Sequence, residues 1–88
     1  MSHHLKLEHT LIERGTDGTL CLSQGSRSAW LSCEEVEMLV AWLALAPPAR
    51  LDTAHHSFRR DETELIINNH IFLADNEVDV IHIWLLSF

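Results

Sequence analysis

Apolar and polar positions alternate along residues 4–13, with Leu5, Leu7, His9 and Leu11 on one side and Lys6, Glu8 and Thr10 on the other. That period of two predicts a half-buried strand. "RGTDG" (14–18) has the composition of a chain reversal. Residues 19–23, "TLCLS", predict a second strand, closing a hairpin. "SQGSRS" (23–28) reads as a loop, with Ala29-Trp30-Leu31 leading onward.

The pattern then changes to the period of a helix. Ser32 followed three residues later by Glu35 forms a capping box. The Ser32 hydroxyl can accept from a backbone amide of the first turn, and Glu35 can reach back to the amide of Ser32. The helix is expected from Cys33 to Ala46, stopping before Pro47-Pro48 because a residue preceding proline avoids helical angles. Val36, Leu39, Val40, Leu43 and Ala46 share one side, flanked by Trp42. Met38 and Leu45 lie away from it, so more of the helix is apolar than one packing contact needs.

Residues 46–62 read as a connector, with room for a short strand around 53–58. Three strands are expected next, over about 63–67, 70–74 and 77–86, joined by two-residue turns at Asn68-Asn69 and Asp75-Asn76. The predicted class is α+β, a single small domain over residues 1–88. Its order is β-β-α-β-β-β, one antiparallel sheet against one central helix. No internal repeat is evident on this reading.

With those turns, Ile66 faces Ile71 and Leu65 faces Phe72, and both faces of the C-terminal ribbon come out apolar. One helix covers one face only. Either the N-terminal hairpin shelters the other, or a second copy of the chain does.

Composition narrows the function. The 88 residues carry thirteen acidic and six basic side chains, a net charge of −7, so the phosphate neutralisation on which nucleic-acid binding depends is disfavoured. The longest apolar run, "MLVAWLALA", is too short to cross a bilayer, and no secretory signal is visible, so a cytoplasmic location is expected. Cys21 and Cys33 are expected as free thiols. The seven histidines have none of the spacings that mark zinc sites, and no metal or cofactor is expected. Cys33 sits in a helical first turn, where His55 or His56 could serve as its base, but Glu34 and Glu35 oppose a thiolate there. No phosphate-binding glycine loop or nucleophile elbow occurs, and catalysis is not expected.

What remains is a small, acidic, non-enzymatic protein–protein interaction module, expected to form a homodimer and to bind another protein, a basic one on grounds of charge. Its expected contact residues are Met38, Leu45, Trp84, Leu86 and Phe88. The alternatives are a histidine-based metal or small-ligand binder and, more weakly, a single-stranded nucleic-acid binder stacking bases on tryptophan.

Overall fold

In a computed structural model of the chain, residues 3–87 are described. The class is α+β, with two helices and two four-stranded antiparallel sheets. Strands β1 (His3–Lys6), β2 (Leu11–Arg14), β3 (Leu20–Gln24) and β4 (Arg27–Leu31) form the first sheet in chain order. Helix α1 (Cys33–Leu43) follows. Strands β5 (Ala49–Asp52), β6 (Ser57–Arg60), β7 (Glu64–Ile67) and β8 (Ile71–Ala74) make the second sheet, and helix α2 (Asp75–Leu86) comes last.

The expected single sheet is therefore replaced by two, and the order becomes four strands, helix, four strands, helix. Residues 4–13 are two strands rather than one, because the chain turns back at 7–10, where the Leu7 amide donates to the Thr10 carbonyl at 2.8 Å. The 23–28 loop is the tip of a hairpin, with Gln24 opposite Arg27 and Gly25 at positive φ. The 46–62 connector contains two paired strands. Helix α1 ends at Leu43, short of the expected Ala46, and Leu45 lies in the turn that follows, its amide donating to the Trp42 carbonyl.

The largest correction concerns 77–86, expected as a strand and found within α2. Val78, Ile81 and Leu85 are its buried residues, spaced three and four apart. Burying a large apolar side chain contributes about 1.5–3 kcal/mol. Three such side chains outweigh the β preference of Val and Ile, a scale spanning ~1 kcal/mol in all. The Glu77 carboxylate accepts from the Ala74 amide at 3.1 Å, which is half of a capping box.

The two halves are an internal repeat, β-β-β-β-α twice over, which corrects the reading that none was present. "LSCEEVEMLVAWL" (31–43) and "LADNEVDVIHIWL" (73–85) occupy equivalent places 42 positions apart and agree at Leu, Glu, Val, Trp and Leu. The turns agree as well. Thr53 N–H donates to the His56 carbonyl at 2.9 Å where Leu7 donates to Thr10, and Asp61 donates to Glu64 where Gly15 donates to Thr19, both at 3.0 Å. Ile12 and Phe58, one per half, stand at equivalent points and are both fully buried.

Neither half closes on itself. Ile12, Leu22 and Leu31 from the first sheet join Phe58, Ile67 and Leu73 from the second and side chains of both helices in one buried cluster. Trp42 of α1 packs on Phe58 of β6 with ring centroids 6.2 Å apart. Buried Arg60 of β6 donates to the Leu43 carbonyl of α1 at 3.2 Å and to Asp75 of α2 at 3.2 Å, with Asp79 at 3.6 Å. One guanidinium thus ties the end of one helix to the start of the other.

Candidate interaction surfaces

The solvent side of α2 carries Val80, Ile83 and Leu86, which are 46%, 70% and 61% exposed. Their spacing of three keeps them in one stripe while Val78, Ile81 and Leu85 point inward. At the equivalent places the first half presents Met38 and Ala41 of α1 and Ala44 at its C-terminal cap, so that side is flatter and less apolar. The expected contact residues separate accordingly. Leu86 belongs to the stripe. Met38 is exposed on α1, and Leu45 is exposed just beyond that helix. Trp84 is half-buried and packs against the core, so it is chiefly a packing residue. Phe88 lies outside the described residues. Ile83 and Val80 escaped sequence reasoning because a strand assignment gave them the wrong neighbours; their i, i+3, i+6 spacing with Leu86 was the available signal.

The outward faces of the sheets hold a second set. Directly opposed residues across the second sheet are Arg50, Arg59, Ile66 and Phe72. The corresponding row of the first sheet is His4, Glu13, Cys21 and Trp30. Each row ends on an exposed aromatic, Trp30 at 68% and Phe72 at 43%. The loop after β7 sets this arrangement. It spans three residues, with Asn68 and Asn69 at positive φ and the His70 amide donating to the Ile67 carbonyl. Ile67 therefore faces Ile71, and Phe72 faces Ile66 rather than Leu65. A shift of one residue moves a side chain to the other face. Leu65, Ile67, Ile71 and Leu73 consequently point into the core, and the outward face is only partly apolar.

Two reciprocal clasps hold the halves together beneath these aromatics. The Gln24 side chain donates to the Phe72 carbonyl at 2.7 Å and accepts from the Phe72 amide at 3.2 Å, while also donating to the Thr10 hydroxyl at 3.0 Å. At the matching point of the other half, His56 Nε2 donates to the Trp30 carbonyl at 2.6 Å, and His56 Nδ1 accepts from the Asn68 amide at 2.9 Å. These contacts occupy edge groups of β4 and β8 that would otherwise stand unpaired.

The second clasp includes the only strongly enclosed carboxylate found among the described residues, Glu35. The capping box forms as expected: the Ser32 hydroxyl accepts from the Glu35 amide at 3.2 Å, and Glu35 accepts from the Ser32 amide at 3.1 Å. The Thr53 hydroxyl also donates to Glu35, and His56 Nε2 lies 3.9 Å away. Burial raises the Glu35 carboxyl, but the hydrogen bonds from Thr53 and Ser32 outweigh it and hold the group below the ordinary carboxylate value. Both His56 nitrogens are engaged by Trp30 and Asn68, which leaves the ring no lone pair to turn toward Cys33. Cys33 is exposed and Cys21 buried, and both are free thiols. Among the described residues no group of three or more His, Cys, Asp or Glu is placed to hold a metal ion, and no helix is long and apolar enough to cross a membrane. Comparison with protein-family models, with curated proteins and with solved structures gives no match to this chain.

Proposed function

We propose that this chain is a non-enzymatic interaction module that pairs with a second copy of itself through the outer side of α2. The observation that carries the reading is the stripe of Val80, Ile83 and Leu86, three large apolar side chains left in solvent on one helix while eighteen other apolar side chains are buried. An apolar helix stripe is an inexpensive surface to bury against a like stripe. Charge favours a two-fold, antiparallel arrangement. The acids of α2, Asp75, Glu77 and Asp79, all lie in its first half, so antiparallel pairing sets the two acidic ends apart and aligns the helix dipoles favourably.

The test is the mass in solution of the unmodified protein and of Ile83→Glu, by light scattering at matched concentrations. The expected outcome is a pair at twice the 10.1 kDa chain mass for the first and a folded single chain for the second. An unmodified protein that remains a single chain at high concentration, or a folded Ile83→Glu protein that still pairs, contradicts the proposal.

A further inference from the structure

We infer that the outward face of the second sheet is a docking site for a segment of a partner protein that carries one carboxylate and, beside it, an apolar side chain. This rests on reading the chain as an interaction module, and it concerns a face remote in kind from the α2 stripe.

Arg50 and Arg59 are directly opposed on neighbouring strands, and both are exposed. Like charges in that position destabilise a sheet. The fold does not require them, since the equivalent places in the first half hold His4 and Glu13. Among the described residues Arg50 is bonded through Nε alone, to Asp52 at 3.0 Å. Arg59 has no ion pair within 4.0 Å among the described residues. Both guanidinia therefore keep donors available in a chain whose charge is otherwise strongly negative. A shallow groove of about 420 Å³ runs past Arg50, Arg59 and Ile66. An anion lying between the two arginines would convert their repulsion into two charge-assisted contacts.

The rest of the row fixes the other half of the ligand. Ile66 and then Phe72 follow Arg59 at successive strand spacings of about 4.8 Å, giving an apolar ledge that begins about 7 Å from the anion position at Ile66 and reaches about 12 Å at Phe72. In an extended peptide, side chains two residues apart lie on one side about 7 Å from each other. A segment with Glu or Asp two residues from Phe or Leu matches that span. The surroundings argue against a phosphate track. Asp52 sits on Arg50, and Asp61 is close enough to Arg59 to feel its charge. That leaves room for one anion, where nucleic acid needs a series of cationic contacts.

The experiment is an NMR titration of the isotope-labelled protein with acetyl-Glu-Ser-Phe-amide, its Gln analogue and an oligothymidylate. The Glu peptide is expected to shift the amides of Arg59, Ile66 and Phe72, with the Gln analogue about tenfold weaker, as loss of one charged hydrogen bond implies. Arg59→Gln, with an otherwise unchanged spectrum, is expected to abolish that preference. Equal binding of the two peptides, shifts elsewhere, or no shifts overturns the inference. So does an oligothymidylate that binds this face more tightly than the Glu peptide. Self-association is read separately on α2, so failure of one leaves the other standing or falling by its own result.

Discussion

Ser32 and Glu35 show how much one pair of residues can hold. Together they cap α1, and through Thr53 and His56 the same Glu35 ties the cap to the second half of the molecule. Its carboxyl ionises more readily folded than unfolded, where the value is near 4.5. A depressed carboxyl contributes stability that is fully present above the unfolded value and is lost as pH falls through the folded one. Thermal melts of Glu35→Gln are therefore expected to show a lower melting temperature than the unmodified protein at neutral pH. The gap should narrow below about pH 4.5 as the native carboxylate takes up its proton. A constant gap across that range would count against the role given to its charge. Gly18 is constrained in a different way. Its φ is +86°, and a Cβ there would stand 2.7 Å from the Cys33 sulfur. Gly18→Ala is expected to cost at least the ~1–2 kcal/mol of a left-handed non-glycine residue, measured by denaturant unfolding; a neutral effect would contradict the packing of the β2–β3 turn on α1.

Among the elements, α1 was legible because three signals agreed: the capping box, the apolar periodicity and the prolines beyond its end. For α2 they conflicted. "EVDVIHIW" satisfies alternation as readily as a helical period, and its branched residues favour strands. The arbiter is tertiary, the fit of Val78, Ile81 and Leu85 into a core shared with both sheets. The same conflict hid the stripe. Val80 and Ile83 fall on opposite faces of a strand but on one side of a helix, so the surplus apolar area was visible in the sequence while its location was not. The β7–β8 loop shows a finer limit. Two adjacent asparagines announce a turn, but whether His70 belongs to the loop decides which of Leu65 and Ile66 faces outward. That choice is made by burial across the sheet and is not written in the turn itself.

At the scale of the molecule, the repeat explains why so short a chain builds ten elements. Each half supplies four short strands and a helix, too little to bury a core alone. Arg60 and the two clasps cross between halves. Unfolding is therefore expected to be one cooperative event, with far-UV circular dichroism and tryptophan fluorescence following the same thermal transition; two separated transitions would mean that the halves stand independently. The repeat escaped the sequence reading because each first-half strand keeps a single identity with its counterpart (Leu5/Leu51, Arg14/Arg60, Leu20/Leu65, Leu31/Leu73), and only the helical segments keep a visible run of matches. What the duplication leaves unequal is the outside: Ala41 and the Ala44 cap of one helix against Ile83 and Leu86 on the other, His4 and Glu13 on one sheet against Arg50 and Arg59 on the other. The core positions repeat and the surfaces diverge.

Pairing through α2 is open to direct observation in a mixed sample of isotope-labelled and unlabelled chains, using isotope-filtered nuclear Overhauser spectra at about 1 mM, where even a pair with Kd near that value is well populated. The account predicts contacts between the methyl groups of Val80, Ile83 and Leu86 on one copy and those on the other. Their absence, or intermolecular contacts centred on Trp30 or Met38 instead, would contradict it.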